Sequence, residues 1–235
     1  MKAGIRSVSD IEFLFLTVGW GRLPPRPTAP GGPIASLPVQ ILLVRHAQSE
    51  WNAIGRWQGW ADPPLSELGR QQSRLAAKGL HDIDVAVSSD LQRAIDTATL
   101  MVEPLGLAPA KVEPRLRERD VGEWTGLTRD EINQRWPEAL STMADPPGGE
   151  SALTLQTRMV AAVTSLARTY PHASVLAVTH GGAIRSLERH LGVDPHPLPN
   201  LGGTWLEVFS DTMAVGPRVL LVDPDEVAVT VPRQL

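Results

Sequence analysis

The hydrophobic positions along the chain fall into two kinds of run. Residues 39–44 (VQILLV) and 174–179 (SVLAVT) are short and almost wholly apolar, which is typical of strands buried on both faces of a parallel sheet. Residues 66–80 and 153–170 instead repeat their apolar side chains every three to four positions, and Ser66 stands where a helix cap is expected. The pattern predicts buried strands that alternate with amphipathic helices.

The rest of the ordered chain extends this pattern. We predict further strands at 83–87, 204–210, 218–222 and 227–231, and further helices at 90–102 and 183–191. Residues 115–150 show mixed helix and strand signals. Alternating strands and helices favour an α/β fold. We expect a single three-layer α/β/α domain at 38–235, with a mostly parallel central sheet, helices on both faces and a small cap insertion at about 117–150.

The first 37 residues differ from the rest. Their second half is rich in proline and glycine, and the apolar run at 11–18 is short and interrupted by Glu12. No convincing small-residue cleavage site follows that run, so it makes a poor signal peptide. We interpret residues 1–37 as a flexible extension, or as the product of a start assigned too far upstream.

Composition narrows the classes of function. With 22 basic and 26 acidic residues the net charge is -4, without a long run of either sign, so we expect no nucleic-acid partner. The chain has no cysteine, which excludes a disulfide scaffold, a thiolate zinc site and a cysteine nucleophile, and which fits a cytoplasmic location. No stretch approaches the roughly 20 apolar residues that cross a bilayer, so we expect no membrane partner.

Two of the predicted buried strands end in a histidine, His46 and His180. In α/β sheets ligands bind beyond the carboxyl ends of the strands, so neighbouring strands would bring both imidazoles into one crevice. Arg45 adds a positive charge with a planar fork that suits phosphate, and residues 181–182 are glycines whose N–H groups at a helix start suit an anion. This setting suits a histidine that attacks phosphorus.

Five sequence blocks follow one another along roughly residues 40 to 210. They are VRHAQSEWN at 44–52 continuing through RWQGWADPPLS at 56–66, SSDLQRAIDTA at 88–98, LRERDVGEWTG at 116–126, PGGES at 147–151, and VTHGG at 178–182. In this order the blocks resemble the signature of the histidine phosphatase superfamily, the phosphoglycerate-mutase-like proteins, and in particular its phosphatase-type branch. One RHA triplet would be a weak signal, whereas five linked blocks are specific.

The resemblance implies the catalytic roles. His46 would be the phosphorylated nucleophile, and Arg45, Arg93 and His180 would hold the phosphate. Glu118 would protonate the leaving oxygen and later activate water. Two arginines beside the histidines would repel a cation, so we expect neither a metal nor a cofactor. The expected partner is a small-molecule phosphate ester, and the oligomeric state, a homodimer included, stays open.

Four further positions would contact the substrate on the same resemblance. Asn52 and the backbone N–H of Gly181 would be additional phosphate donors, while Arg56 and Gly59 would face the rest of the substrate. Three of the implied site residues also have a simpler structural alternative. Asn52 could cap a turn, Arg56 could be a solvated surface side chain, and Glu118 could be a surface carboxylate.

The choice between phosphatase and mutase depends on the segment after Glu118. Phosphoglycerate mutases of the family carry an insertion with an adjacent arginine pair there, and no such pair occurs between Glu118 and Pro147. We therefore favour hydrolysis of a small phosphomonoester, with a mutase as the alternative. Ala47 and Gln48 depart from the family pattern without removing a catalytic group. Retention of the whole set argues against a non-catalytic phospholigand-binding protein, and the physiological substrate stays open.

Overall fold

The computed structural model describes residues 38–209 and 212–231. The strands are β1 (Val39–Arg45), β2 (Val85–Ser88), β3 (Lys111–Val112), β4 (Ser174–Thr179), β5 (Gly202–Val208) and β6 (Met213–Leu220). The helices are α1 (Glu50–Ala53), α2 (Glu67–Ala76), α3 (Gln92–Val102), α4 (Arg129–Arg135), α5 (Ala152–Thr169) and α6 (Gly181–His190). The extension predicted at 1–37 and the predicted strand end at 210 lie outside the described residues. Within the described ranges, no helix is long and apolar enough to cross a bilayer.

The strands form one sheet in the order β3-β2-β4-β1-β5-β6. Central β1 pairs in parallel with β4 on one side and antiparallel with β5 on the other. The register sets Arg45 opposite Thr179, so β1 and β4 end at the same level, and the histidines that follow them lie at one edge of the sheet. Only β5 runs against the other described strands. The predicted α/β fold with a mostly parallel sheet is confirmed.

Successive side chains of β1 enter two different cores. Leu42 and Val44 belong to the cluster that includes α2 and α3, whereas Ile41 and Leu43 belong to the cluster that includes α5 and α6. All four are essentially buried, because helices cover both faces of the sheet. Burying each such side chain contributes about 1.5–3 kcal/mol. The arrangement confirms the three layers and explains why β1 is apolar throughout.

The strand predicted at 227–231 is wrong. In the described part of the chain this segment joins no sheet, and side chains and loop backbone satisfy its carbonyl groups instead. The side-chain amide of Gln72 donates to the carbonyl of Ala228 at 2.6 Å, and the N–H of Asn200 donates to the carbonyl of Thr230 at 3.1 Å. The valines of this segment alternate as they would in a strand, because Val227 is buried in the core beside α2 and α3 and Val229 packs against that core.

Residues 117–150 contain a third, smaller apolar cluster. A short 3₁₀ helix (Gly122–Trp124) and α4 bring Trp124 and Ile132 against Trp57. The indole rings of Trp57 and Trp124 meet edge to face with centroids 5.5 Å apart. No helix was predicted at α4, because its seven residues are too short for a clear helical period. This cluster fixes the segment that carries Glu118.

Candidate active site

His46 directly follows β1 and is buried, with 3 % of its surface exposed. Its Nδ1 lies 2.7 Å from the carbonyl oxygen of Ala47, and that oxygen can only accept, so Nδ1 carries the hydrogen. The other nitrogen, Nε2, keeps its lone pair and accepts from Nε of Arg93 at 3.3 Å. Burial and the charges of Arg93 and Arg45 hold the pKa of His46 well below its usual value. The side chain is therefore neutral and nucleophilic at Nε2.

Arg93 contacts this nitrogen and Arg45 lines the same cavity, and both side chains are almost completely buried. Arg93 donates from Nη2 to the carbonyl of Gly59 at 2.8 Å, and Arg45 donates from Nη1 to the carbonyl of Leu198 at 2.7 Å. Burial, together with the charge of Arg185, lowers the pKa of Arg45 to about 9, and burial lowers that of Arg93 to about 10. Both guanidinium groups thus stay positive at neutral pH, and their fixed orientation suits a phosphoryl dianion.

His180 packs against the ring of His46. Its Nε2 lies 2.9 Å from the hydroxyl of Ser89, while its buried Nδ1 has no hydrogen-bond partner among the described residues. Burial, followed by the charge of Arg93, holds the pKa of His180 well below its usual value. When the hydroxyl of Ser89 donates to Nε2, the proton resides on Nδ1, which is then an unused donor beside the nucleophile.

Glu118 is held by two backbone N–H groups. Arg119 donates to Oε1 at 2.8 Å, and Gly182, in the first turn of α6, donates to Oε2 at 2.9 Å. A Cβ atom at position 182 would lie 2.3 Å from Oε1, so only glycine allows the carboxyl group to approach the helix this closely. The carboxyl group is therefore fixed at the helix N-terminus and faces the same cavity as His46.

These groups share one cavity that opens to solvent. Six of the predicted site residues line it: Arg45, His46, Gly59, Arg93, Glu118 and Gly181. Gly59 adopts a φ of +52°, which glycine allows without strain. Its carbonyl accepts from Arg93, so Gly59 contributes to the site through its backbone. Within the described residues, no group of three or more His, Cys, Asp or Glu side chains is arranged to hold a metal ion.

Asn52 does not line the cavity. It forms a capping box with Ser49, whose hydroxyl accepts from the N–H of Asn52 at 3.1 Å and whose N–H donates to Oδ1 of Asn52 at 3.2 Å. The same Oδ1 accepts from Nδ2 of Asn200, which also donates to the carbonyl of His46 at 2.8 Å. Asn52 thus reaches the nucleophile loop through Asn200, and its contact with a phosphate stays a prediction.

Arg56 also lies away from the cavity. Its Nη1 donates to the carbonyl of Gly126 and lies 3.4 Å from a carboxylate oxygen of Glu131, so the side chain contacts the 117–150 segment. About a third of the side chain is exposed. Its predicted role toward the substrate therefore stays a prediction.

Arg185 lines the cavity and was not among the predicted site residues. It lies on α6, four residues after Gly181, and its Nε donates to the carbonyl of that glycine at 3.2 Å. Burial lowers the pKa of Arg185 to about 10, so it is a third positive charge in the pocket. The signal was present in the sequence, because residues four apart on a helix share a face. Gln58 and Arg119 complete the polar lining that the sequence analysis missed.

Comparison with known proteins agrees with this geometry. The profile of the "Histidine phosphatase superfamily (branch 1)" matches residues 41–209. The chain belongs to the histidine phosphatase superfamily, which confirms the resemblance read from the five sequence blocks.

Individual relatives divide between two activities. A 2,3-bisphosphoglycerate-dependent phosphoglycerate mutase of Methylobacterium radiotolerans is 38% identical over 176 residues, covering 68% of this chain and 83% of the relative. Phosphoserine phosphatase 1 of Hydrogenobacter thermophilus is 36% identical over 165 residues, covering 66% and 78%. Among solved structures, a mycobacterial glucosyl-3-phosphoglycerate phosphatase in complex with VO3 superposes with a TM-score of 0.69 at 32% identity, covering 75% of this chain and 97% of the other.

Proposed function

We propose that the protein hydrolyses a small phosphomonoester through a phosphohistidine intermediate on His46. The observation that carries the proposal is the imidazole of His46, whose Nδ1 is held by the carbonyl of Ala47 and whose Nε2 accepts from the buried guanidinium group of Arg93, with buried Arg45 lining the same cavity. Glu118 faces the same cavity and supplies a carboxyl group for proton transfer. A nucleophile, a charge-stabilising pair and an acid–base group are the parts that such a reaction needs.

In the first half-reaction, Nε2 of His46 attacks phosphorus and the bond from phosphorus to the leaving oxygen breaks. Protonated Glu118 transfers its proton to that oxygen, so the product leaves as a neutral alcohol. Arg93 shifts its Nε–H from Nε2 to a phosphoryl oxygen, and Arg45 offsets further negative charge. The imidazole ring gains a positive charge, which the hydrogen bond from Nδ1 to the carbonyl of Ala47 stabilises.

In the second half-reaction, water attacks the phosphorus of the phosphohistidine. The Glu118 carboxylate removes a proton from the water, the phosphorus–nitrogen bond breaks, and inorganic phosphate leaves. The electron pair returns to Nε2, so His46 regains its neutral form. All charge stabilisation in this scheme comes from the guanidinium and N–H groups of the chain itself, and the reaction therefore should not require a metal ion.

Arg185 supports a finer proposal about the substrate, which would carry a second anionic group such as a carboxylate. Four arginines line the cavity. Arg119 pairs with Asp145 and Arg93 lies 3.4 Å from Asp62, whereas the Nε of Arg185 donates to a backbone carbonyl. A carboxylate on the substrate would balance the charge of Arg185, while Arg45 and Arg93 hold the phosphoryl group. The names of the relatives agree, because phosphoserine and phosphoglycerate both contain a carboxylate beside the phosphate.

A phosphoglycerate mutase is the second candidate, favoured by the activity named for the 38% identical relative. A mutase must return the phosphoryl group to a bound carboxylated product before water reacts. The absence of an adjacent arginine pair between Glu118 and Pro147 supports hydrolysis instead.

The test is phosphate release in the presence of EDTA. Wild type is compared with His46→Ala on p-nitrophenyl phosphate and on a panel of sugar phosphates, O-phosphoserine and 3-phosphoglycerate. We expect release that survives EDTA and is lost in the variant, together with acid-labile phosphate on the wild-type protein. Interconversion of phosphoglycerates without release would establish the mutase. Binding of phosphate esters without either reaction would leave a phospholigand-binding protein.

A further inference from the structure

The segment that carries Glu118 lacks the support of a regular helix or strand. Glu118 lies between two short 3₁₀ helices, Pro114–Leu116 and Gly122–Trp124. Its backbone carbonyl nevertheless accepts two side-chain donors, Nε1 of Trp60 at 2.8 Å and Nη2 of Arg158 at 3.0 Å. The carboxyl group is therefore fixed from one side by backbone N–H groups, and the main chain beneath it is fixed from the other by side chains.

Arg158 makes most of this support. The residue lies on α5 and reaches across to three carbonyl groups of the Glu118 segment. Its Nη1 donates to the carbonyls of Arg115 at 2.9 Å and Arg117 at 2.8 Å, and its Nη2 donates to that of Glu118. Only a planar guanidinium group can direct this many hydrogen bonds along one edge, and a lysine ammonium cannot.

Glu150 orients Arg158. Its carboxylate accepts from Nε at 2.9 Å and from Nη2 at 2.6 Å, and both side chains are largely buried. The backbone of Glu150 is also tied to the residues after Glu118, because its N–H donates to the carbonyl of Asp120 at 2.9 Å and its carbonyl accepts from Nε of Arg119 at 2.8 Å. The Glu150–Arg158 pair thus joins α5 to both sides of the Glu118 position.

We propose that Glu150 and Arg158 are positioning residues that set the place of the Glu118 carboxyl group relative to His46. The proposal rests on the proposed role of Glu118 as proton donor and acceptor. Neither side chain of the pair lines the cavity, so neither contacts the substrate directly. Proton transfer depends on atomic placement, and a displacement of about 1 Å can lower a rate by about 100-fold. The pair therefore acts on the chemical step and leaves substrate binding to other residues.

Arg158→Lys is the main test. The substitution retains the positive charge and loses the planar guanidinium group with its fixed hydrogen-bond donors. We expect phosphoryl transfer to His46, measured as kcat/KM, to fall by about 10- to 100-fold for an alkyl phosphate such as O-phosphoserine and by less than about threefold for p-nitrophenyl phosphate, because an activated leaving group needs little protonation. The Kd of inorganic phosphate should stay nearly constant, because neither Glu150 nor Arg158 lines the cavity. In a Glu118→Gln background, Arg158→Lys should cause no further loss, since the group that it positions is already inactive.

Arg115→Lys is the matched control. Arg115 also bridges to α5, through Ser165, and pairs with Glu113, but its side chain makes no contact with Glu118. We expect its kinetics to equal those of the wild type on both substrates. Equal losses on the two substrates in Arg158→Lys, or a loss that adds fully to Glu118→Gln, would show that Arg158 has a general structural role and would overturn the proposal.

A second readout does not depend on turnover. The N–H of Gly182 bonds to the Glu118 carboxylate, so its hydrogen exchange reports how long that contact lasts. We expect exchange at Gly182 to quicken by roughly tenfold in Arg158→Lys and in the milder variant Glu150→Gln. Unchanged exchange in both folded variants would contradict the positioning role even if the wild type proved inactive. An inactive wild type with the expected exchange would instead contradict the proposed function alone.

Discussion

The imidazole rings of His46 and His180 meet edge to face, with their centroids 5.1 Å apart and their planes at 62°. Burial and the charges of nearby arginines lower the pKa of both rings well below the usual value. Both rings are therefore neutral in the folded protein near neutral pH and pack together without charge repulsion. Burial keeps His46 unprotonated, which leaves a lone pair on Nε2. It also lowers the stability of the folded state in acid, because the unfolded chain then binds protons that the folded chain does not.

We expect the free energy of unfolding to decrease as the pH falls below about 6.5. In that window the unfolded chain binds protons on these histidines and the folded chain does not, so each contributes a loss of up to about 1.4 kcal/mol per pH unit. Urea unfolding at several pH values between 7.5 and 5 measures the slope. His46→Asn should give a shallower slope, and identical slopes for the wild type and His46→Asn would contradict the expectation.

The close approach of Gly182 to Glu118 predicts that a larger side chain at position 182 lowers activity without lowering stability. In Gly182→Ala the new Cβ would meet Oε1 at 2.3 Å, so the carboxyl group must move. We expect kcat on alkyl phosphates to fall by roughly 100-fold. Gly182 lies in the first turn of α6, where the helix preference of alanine offsets the lost hydrogen bond to Glu118, so the melting temperature should stay nearly constant. Kinetics on alkyl and aryl phosphates test the expected loss of activity, and thermal unfolding tests the expected melting temperature. Full activity of the variant would contradict the prediction.

Arg185 provides a test of substrate class. In Arg185→Gln, we expect kcat/KM to fall by about 10- to 100-fold for O-phosphoserine or 3-phosphoglycerate, since a charge-assisted hydrogen bond contributes about 1.5–3 kcal/mol. For an ester of a neutral alcohol, such as β-glycerol phosphate, the change should stay within about threefold. Parallel assays on the two kinds of ester measure the ratio. A common loss on both would assign Arg185 to the phosphate and not to a second anion.

A buried ion pair on the far part of α6 predicts a loss of stability without a loss of chemistry. Glu188 is almost completely buried and bonds Arg218 through both carboxylate oxygens, at 2.8 and 2.5 Å. Arg218→Met would leave the Glu188 charge buried without this partner, at a cost of about 3–5 kcal/mol. Urea unfolding measures the change, and Arg218→Met combined with Glu188→Gln should restore part of it. Turnover of p-nitrophenyl phosphate by the folded variant should change by less than about threefold.

The sequence pattern predicted the parts of the fold that burial dictates. β1 and β4 lie within one residue of their predicted bounds, because strands covered on both faces are apolar throughout. The helices predicted at 90–102 and 153–170 begin and end within two residues of α3 and α5. Six predicted site residues share one cavity because they lie at strand ends, in loops or in the first turns of helices at the same edge of the sheet.

The parts that were missed depend on contacts between distant segments. The valines at 227–231 imitate a strand, yet side-chain amides and a loop N–H satisfy that segment, and no local pattern distinguishes the two. Arg158 resembles any polar residue of an amphipathic helix until α5 is seen beside the Glu118 segment. Asn52 and Arg56 stand beside the signature histidine in the sequence, but capping of α1 and bonding to the 117–150 segment hold them outside the cavity.

The central place of β1 has a consequence for synthesis on the ribosome. Both neighbours of β1 come late in the chain: β4 begins at Ser174 and β5 at Gly202. At about 5–20 residues per second, roughly 7 to 26 s pass between translation of Arg45 and that of β4. During that time one of the most apolar segments of the nascent protein has neither neighbouring strand. We therefore expect β1 to be a binding site for chaperones, and the nucleophile to reach its working place only after β4 and β5 have been translated.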